Sequence, residues 1–408
     1  MKSIKDVYKI GKGPSSSHTM GPFKSVCHYV SNHPEAKELH VTLYGSLAAT
    51  GKGHLTDWAC EEAFRNGKVT IEWKPKENLP KHPNGMKVSV HEEDGSLGDT
   101  WTYYSVGGGD IVCMEKPIET ESDSEVYELS TIKEIMDWCN ANGKAYWEYV
   151  EEHEGKNGIW EHLEKVWNVM RDAVERGIDQ EGSLPGPLNL RRKASSYFIR
   201  AEGYNDVLRT RGLIFSYALA VSEENACGGT IVTAPTCGSC GVLPSVLFHL
   251  QKFYNFSNQR ILRAMATAGI FGTVVKHNAS VSGAEVGCQG EVGVACAMAA
   301  AAVAQLMGGS PSQIEYAAEM GLEHHLGLTC DPVCGLVQIP CIERNAVAAA
   351  RAIDSATFAI LSDGKHRVNY DHVVEVMKET GHNLPSLYRE TSQGGLAKRV
   401  SLKGSVEQ

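Results

Sequence analysis

The chain has 408 residues, 42% apolar and 22% charged, which is typical of a folded protein with enough chain for two or three domains. A formal net charge of −10 and the lack of a basic stripe argue against general nucleic-acid binding. The N-terminal segment MKSIKDVYKIGKG contains no apolar core of a signal peptide, so a cytoplasmic location is expected. The most apolar stretch, 292–307, is short and alanine-rich. It predicts a buried helix, and no membrane partner is expected.

Strand patterns fill the first third of the chain. Four segments show alternating hydrophobicity or a bias toward β-branched and aromatic residues, and Gly, Pro, Asn or Asp turn signals bound each of them. These segments are 38–45, 67–75, 86–94 and 100–109. EAFRNG, between the first two, is typical of a helix end. An α+β domain over residues 1–120 is therefore predicted.

The pattern changes to helical after the acidic connector EKPIETESDSE. Apolar residues recur at helical spacing in LSTIKEIMDWCNANG and IWEHLEKVWNVMRDAVERG. Further on, Ser310, Pro311 and Gln313 predict a helix start with a capping box. The predicted fold class is thus an α+β N-terminal domain followed by a mostly all-α domain over residues 121–408.

The chain contains 12 cysteines, which are expected to be reduced thiols. Cys288, Cys330 and Cys341 are separated by gaps of 42 residues (288 to 330) and 11 residues (330 to 341). These gaps differ from ferredoxin spacings and from the paired CxxC motifs of structural zinc. Three thiolates from separated loops suit a [4Fe–4S] cluster that keeps one iron free of protein ligands. Packed core thiols are the simpler interpretation, and spacing alone leaves both open.

The segment TAPTCGSCG, 233–241, predicts a tight turn before an apolar helix. Its CxxC pair is compatible with a redox pair, half a metal site or two packed thiols. Free N–H groups at such a turn can also receive an anion, including a substrate carboxylate. Thr236 and Gly238 are the binding candidates here. An anion-binding turn, a simple turn and a redox pair all remain open for this segment.

Further candidates lie in polar or glycine-rich segments. GPSSSHT surrounds His18 with hydroxyl groups, and YGSLAATGKGHLTD and KHPNG place His54 and His82 in turns. For GPSSSHT a helix N-cap with a spare histidine is an equal alternative, and for His82 a solvated loop is the simpler interpretation. KHNASVSGAE directly precedes Cys288, and such polar density between apolar helices is typical of a site. The remaining candidates for catalysis or substrate binding are Ser15, Ser16, Ser17, Lys276, Asn278, Ser280 and Arg344.

Seven longer motifs follow one another over about residues 4–360: GPSSSHTMGP, LYGSLAATGKGHLTD, HPNGM, YYSVGGG, TAPTCGSCGVLP, KHNASVSGAEVGCQGEVGVACAMAAA and GLTCDPVCGLVQIPCIERNA. Together they resemble the iron–sulfur-dependent L-serine dehydratase (L-serine ammonia-lyase) family in its single-chain form. The resemblance implies an allosteric substrate-binding type of first domain and a helical catalytic domain. It also implies L-serine as the small-molecule substrate. A homodimer is expected.

The resemblance further implies a [4Fe–4S] cluster on Cys288, Cys330 and Cys341, reached by histidines of the first domain. His54 is the expected general base, because a histidine pKa lies near neutral pH and can be tuned; His18 and His82 are further candidates. The serine hydroxyls at positions 15 to 17 and the turn at 236–241 are expected to hold the substrate carboxylate. Lys276, Asn278 or Ser280 would orient the amino acid, and Arg344 can face a carboxylate.

Two departures from the family pattern stand out. Cys237 and Cys240 occupy positions where many relatives have asparagine and alanine, and Cys334 occupies one where many have glycine. Some relatives end in a cysteine that occupies the open iron, whereas KRVSLKGSVEQ here contains none. Water or another exogenous ligand is therefore expected on that iron.

Several rival functions are weighed. A threonine dehydratase or a cysteine desulfidase could use the same scaffold. A pyridoxal-phosphate enzyme would need Lys276 as its Schiff-base lysine and would leave the cysteines unexplained. An iron–sulfur sensor belongs to a different class and would need a DNA-binding or partner module, which the sequence does not indicate.

Overall fold

The computed structural model describes residues 1–92, 95–118 and 125–400. The first domain contains a five-stranded sheet of order β3-β2-β4-β5-β6, in which β2 and β3 are parallel and the other neighbours are antiparallel. The strands are β1 (Ile10–Lys12), β2 (Glu38–Tyr44), β3 (Lys68–Lys74), β4 (Gly85–His91), β5 (Leu97–Gly107), β6 (Asp110–Cys113) and β7 (Thr230–Val232).

The helices of the first domain are α1 (Gly21–Asn32), α2 (Gly45–Thr50) and α3 (Thr56–Ala63). The following helices are α4 (Ile132–Asn142), α5 (Tyr146–Glu154), α6 (Ile159–Asp179), α7 (Ala194–Glu202), α8 (Asp206–Ala226), α9 (Val242–Tyr254), α10 (Asn258–Asn278), α11 (Gly283–Val286), α12 (Val292–Leu306), α13 (Pro311–Glu323), α14 (Cys341–Leu361), α15 (Tyr370–Asn383) and α16 (Gly395–Arg399).

The predicted fold class is confirmed: an α+β part precedes a mostly helical part. The four predicted strands correspond to β2 to β5, although positions 93 and 94 of the third lie outside the described residues. The predicted capping box is also present, because Ser310 Oγ accepts from the Gln313 N–H and the Gln313 side chain accepts from the Ser310 N–H. The predicted domain boundary at 120 falls within 119–124, outside the described residues.

The sheet has its own apolar core. Val26 and Tyr29 of α1 pack with Leu39 of β2 and Val88 of β4, and Cys60 of α3 completes the cluster. The alternation that predicted these strands reflects this arrangement, since every second side chain faces the helices.

A second, two-stranded sheet ties the start of the chain to the helical part. Strand β1 pairs antiparallel with β7, with Ile10 opposite Val232 and Lys12 opposite Thr230. Since GPSSSHT follows β1 directly and the turn at 236–241 follows β7, this pairing brings two of the candidate segments together.

Helix α12 forms the centre of the helical part. Its residues from Val292 to Ala304 are all buried, and α9, α10, α13 and α14 surround it. Alanine permits this close approach; a Cβ at Gly321 of α13 would lie 2.9 Å from the Ala297 Cα. The segment Cys288–Leu306 is long and apolar enough to cross a membrane, but 83% of its most apolar window is buried inside the protein, as in a core helix.

Candidate active site

The His18 and His54 segments are joined by a reciprocal pair of hydrogen bonds. The Thr19 hydroxyl donates to the His54 carbonyl (2.7 Å), and the Thr56 hydroxyl donates to the His18 carbonyl (2.7 Å). The two rings stack with their centroids 4.5 Å apart, and both side chains are buried. Two motifs that are distant in sequence therefore form one structural unit.

The ring of His54 is oriented by its neighbouring backbone. Nδ1 lies 3.0 Å from the Thr50 carbonyl, which can only accept, so the proton sits on Nδ1 and the lone pair on Nε2. Burial lowers the pKa of His54 to about 4. Nε2 is therefore an unprotonated base at neutral pH, and it lies 3.7 Å from Glu390 Oε1.

Glu390 joins the histidine pair from the C-terminal part of the chain. Its Oε1 is also 3.5 Å from His18 Nδ1, and the ligand atoms of His18, His54 and Glu390 all lie within 4.8 Å of one another. Its Oε2 is buried and has no hydrogen-bond partner in the described part of the chain. Burial and the nearby Glu291 raise the pKa of the Glu390 carboxyl well above its usual range.

The backbone of Glu390 is attached to both domains. The Cys330 N–H donates to the Tyr388 carbonyl (2.8 Å), and the Glu390 N–H donates to the Cys330 carbonyl (2.7 Å). The Ser46 hydroxyl donates to the Glu390 carbonyl (2.8 Å). Glu390 has a φ of +57°, a left-handed conformation that costs a non-glycine residue roughly 1–2 kcal/mol. Such strain persists where the surrounding contacts impose it, and functional sites are its commonest location.

The thiols of Cys330 and Cys341 lie near this carboxyl group, and Cys288 lies near both of them. Burial raises the pKa of each thiol, to about 11 for Cys288. Negative charge on Cys288 and on Glu390 raises the pKa of Cys330 and Cys341 further, whereas Arg344 lowers that of Cys288 and Cys341. The three thiols are therefore close enough to influence one another, and a bound metal centre would stabilise their thiolate forms.

Glu291 connects the cysteines to the turn at 236–241. The Thr236 hydroxyl donates to Glu291 Oε1 (2.8 Å), and the Cys330 thiol faces Glu291 Oε2 at 4.0 Å. Burial raises the pKa of Glu291. A Cβ at Gly238 would lie 3.0 Å from Glu291 Oε1. Thr236 and Gly238 therefore border the centre, but the Thr236 hydroxyl is already bonded within the protein.

The serine-rich segment also uses its hydroxyl groups locally. Ser15 Oγ accepts from the His18 N–H (3.1 Å), which caps the turn of π-helix Ser16–Met20. Ser17 Oγ lies 2.8 Å from His18 Nδ1. These contacts position His18.

Two further predicted residues, His82 and Ser280, meet at Glu285. His82 Nε2 lies 3.5 Å from Glu285 Oε1, and the Ser280 hydroxyl donates to Glu285 Oε2. His82 is buried and near enough to His18 to lower its pKa, after the larger effects of burial and His54.

Lys276 and Asn278 have other partners. The Lys276 ammonium pairs with Asp110 and Asp6 on a cavity of about 980 Å³ between the two domains. The Asn278 side chain donates to the Ser130 carbonyl (2.7 Å). Their roles in orienting substrate stay predictions, and these contacts give them no link to the thiols.

The extra thiols occupy distinct environments. Cys237 and Cys240 are buried and unoxidised, with Cys237 Sγ 3.5 Å from Met20 Sδ. Cys334 is exposed and has a φ of +56°. The Cys334 carbonyl lies close to the loop that contains His54, because a Cβ built on Gly53 would be 2.8 Å from the Cys334 carbonyl oxygen.

Sequence analysis missed Glu291 and Glu390. Glu291 follows Cys288 by three positions, so proximity in sequence was an available signal. Glu390 lies in RETSQGG, where no spacing or periodicity distinguishes it. Its placement depends on pairing with the distant Cys330 segment.

The site combines a buried histidine base, two carboxyl groups whose pKa burial raises, and three thiols that influence one another, as an enzyme centre does. The chain also matches two family descriptions. Residues 3–70 match the serine dehydratase beta chain, and residues 73–397 match the serine dehydratase alpha chain.

Curated relatives extend over nearly the whole chain. It is 42% identical to "L-serine dehydratase TdcG" of Escherichia coli K12, 40% to "L-serine dehydratase" of Haemophilus influenzae and 40% to "L-serine dehydratase" of Streptomyces coelicolor. Each alignment covers 98% of this chain and 99% of the relative. The chain therefore belongs to the serine dehydratase family, with its alpha-chain and beta-chain regions on one polypeptide.

Proposed function

We propose that this protein converts L-serine into pyruvate and ammonia by eliminating water, using a [4Fe–4S] cluster bound by Cys288, Cys330 and Cys341. The observation that carries the proposal is the position of Glu390, whose Oε1 lies 3.7 Å from His54 Nε2 and whose carboxyl group is also near the Cys330 and Cys341 thiols. The names of the relatives support the substrate.

The donor set supports the cofactor. Three thiols that influence one another's pKa, with Cys288 and Cys330 buried and Cys341 half-buried, suit a cubane cluster with one iron free of protein ligands. When bound, such a cluster supplies a Lewis acid that makes the serine hydroxyl a better leaving group. Arg344 lies beside the thiols and offsets part of their negative charge.

His54 is the proposed general base. Its Nε2 accepts the α-proton of serine, while the Nδ1–H bond to the Thr50 carbonyl holds the ring in place. Glu390 is proposed to face the α-ammonium group, because Oε2 is a buried acceptor without a partner among the described residues. An ammonium ion there favours the charged carboxylate that burial otherwise disfavours.

Loss of the α-proton and of hydroxide, together one water, leaves 2-aminoacrylate. This enamine tautomerises to the imine, and water hydrolyses the imine to pyruvate and ammonia. The residues at 15–17, Thr236 and Gly238 are proposed to line the space for serine. The homodimer and the cytoplasmic location stay predictions.

The test is pyruvate formation from L-serine by anaerobically purified protein, with iron and acid-labile sulfide counted in the same samples. Alanine variants of Cys288, Cys330 and Cys341 are expected to lose iron and activity together. Cys296→Ala is the matched control, since Cys296 is buried like Cys288 and Cys330 but donates to the Ala348 carbonyl in the helical core. Full iron content in all three cysteine variants would contradict the ligand assignment.

His54→Asn tests the base. Asparagine can retain the donor to the Thr50 carbonyl but lacks the basic Nε2, so kcat is expected to fall about 10²–10⁴-fold with the cluster retained. His249→Asn is the control, because His249 is also buried, with a pKa lowered to about 4, and packs against Phe253. Near-full activity of His54→Asn would show that His54 is not the general base.

Threonine and cysteine are the competing substrates. Both share the α-ammonium and α-carboxylate of serine, and they differ only at the β-carbon or the leaving atom. Comparing kcat/KM for the three amino acids identifies the preferred one, and serine is expected to give the highest value.

A further inference from the structure

Three buried polar side chains lie where strands β4 and β5 approach the helical part. Strands β4 and β5 pair Gly85 with Tyr104, and the Ser105 N–H donates to the Asn84 carbonyl (3.0 Å), so Asn84 and Ser105 lie opposite each other. Opposite residues of antiparallel strands present their side chains on the same face. Ser282 of the helical part lies beside Gly107, two residues further along β5 than Ser105, because a Cβ at Gly107 would lie 3.1 Å from the Ser282 Cβ.

These three residues, the donor patch, have polar atoms that lack protein partners. The Asn84 Nδ2 and Oδ1, the Ser105 Oγ and the Ser282 Oγ are all buried without a hydrogen-bond partner among the described residues. The exposed fractions of Asn84, Ser105 and Ser282 are 0%, 1% and 1%. Buried polar groups are almost always paired, so four such atoms in one patch indicate that a polar ligand group or ordered water binds there.

The donor patch adjoins the reacting groups on two sides. A Cβ at Gly283, the residue after Ser282, would lie 3.3 Å from Cys330 Sγ. On the other side, the Pro83 carbonyl accepts from the Ser46 N–H (3.2 Å), and the Ser46 side chain contacts His18 Nε2 (3.2 Å). The donor patch is therefore linked to the thiols and to His18 through the chain neighbours of Ser282 and Asn84.

The chemistry of the patch favours an anion over a cation. The Asn84 amide supplies two N–H donors, and each serine hydroxyl supplies one O–H. None of the three residues carries a negative charge, whereas Glu390 offers its unpartnered carboxylate oxygen to a cation. An amino acid has one carboxylate and one ammonium group, and the two regions match them separately.

Two of the hydroxyl groups first expected to hold the carboxylate have partners within the protein. Ser17 Oγ contacts His18 Nδ1, and the Thr236 hydroxyl donates to Glu291. We propose that Asn84, Ser105 and Ser282 bind the α-carboxylate of the substrate and that Asn84 is the main determinant. This inference rests on the proposed function, because it assigns part of the same substrate.

The test uses two serine fragments as inhibitors of the cluster-loaded enzyme. 3-Hydroxypropanoate retains the carboxylate and lacks the amine, whereas 2-aminoethanol retains the amine and lacks the carboxylate. Asn84→Ala is expected to raise the inhibition constant of 3-hydroxypropanoate at least tenfold and to leave that of 2-aminoethanol within twofold. The KM for serine should rise more than kcat falls.

Asn142→Ala is the matched control, because Asn142 lies at the exposed end of α4 and donates only to Trp138 in its own helix. Equal changes for both inhibitors would overturn the proposal. No change for either would also overturn it and would mean that the patch holds only water.

If Asn84→Ala fails to fold or loses its iron, Ser282→Ala takes its place. This variant is expected to raise the inhibition constant of 3-hydroxypropanoate three- to tenfold and to leave that of 2-aminoethanol unchanged. Ser89→Ala, on the same strand as Gly85 and bonded to Thr100, is its control. Calorimetric titration of 3-hydroxypropanoate needs no turnover. If the wild-type protein binds 3-hydroxypropanoate but makes no pyruvate, the proposed reaction is wrong while the carboxylate assignment still holds.

Discussion

Asn345 connects the turn at 236–241 to helix α14, and we predict that removing its side chain destabilises the protein. Its Oδ1 accepts from the Gly241 N–H (2.9 Å), and its Nδ2 donates to the Gly238 carbonyl (2.7 Å) and the Cys341 carbonyl (2.9 Å). The side chain is 1% exposed, so water cannot readily replace these bonds. Asn345→Ala therefore removes the only side chain that links this turn to Cys341 through hydrogen bonds in the described part of the chain.

The expected cost follows from the groups left unpaired. The Gly241 N–H is buried and the Gly238 carbonyl is half-buried, and an unsatisfied buried group costs about 1–3 kcal/mol. The Cys341 carbonyl belongs to a helix and retains its backbone partner. We expect Asn345→Ala to lower the free energy of unfolding by about 3 kcal/mol, because the Gly241 N–H and the Gly238 carbonyl lose their hydrogen-bond partner.

The assay is equilibrium urea unfolding of the metal-free protein, followed by far-ultraviolet circular dichroism. Asn142→Ala is the control and should change stability by less than about 0.5 kcal/mol, since its amide is exposed. A loss below about 1 kcal/mol for Asn345→Ala would refute the reasoning, because it would mean that the turn rearranges to satisfy its own backbone.

Three further outcomes are expected. Burial lowers the pKa of His54 and of His325 to about 4. As the pH falls below about 6.5, these histidines become protonated in the unfolded chain but not in the folded protein. The folded state is therefore destabilised between pH 6.5 and pH 4. The loss at pH 5 should be about 2 kcal/mol for each. Gly53→Ala should lower activity, since its Cβ would lie 2.4 Å from the Gly335 carbonyl and displace the His54 loop. Ser310→Ala should cost about 1 kcal/mol of unfolding free energy through loss of the helix cap.

Each outcome has its own check. Urea midpoints at pH 7.5 and pH 5 measure the histidine effect, and a His325→Gln protein with undiminished pH dependence would contradict it. Gly203→Ala is the control for Gly53→Ala in stability and turnover, because Gly203 has a φ of −84° and its Cβ would meet only the Arg200 carbonyl at 3.4 Å. An unchanged midpoint for Ser310→Ala would show that the cap contributes nothing.

Local patterns in the sequence determined much of the fold. Strands β2 to β5 were predicted because alternating apolar residues face one buried side of the sheet, and the start of α13 was predicted from its capping box. Both signals arise within a few residues of chain. The change from an α+β part to a helical part follows from the same local periodicities.

The candidate site was only partly predictable. The cysteines and histidines were selected by residue chemistry and by the family resemblance, and in the structure Glu390 lies near His54 on one side and near Cys330 and Cys341 on the other. Their roles as ligands and base remain proposals. Local sequence carried no sign of how these segments meet, because no periodicity links residues more than a hundred positions apart.

Tertiary structure alone decided the rest. Glu390 reaches His18 because its backbone pairs with Cys330, and Asn84 faces Ser105 because of the register of β4 and β5. Such pairings are set by the packing of whole elements, where a shift of one residue would turn each side chain to the other face. The sequence therefore determined which chemistry is available, and the packing of the two domains decided which groups meet.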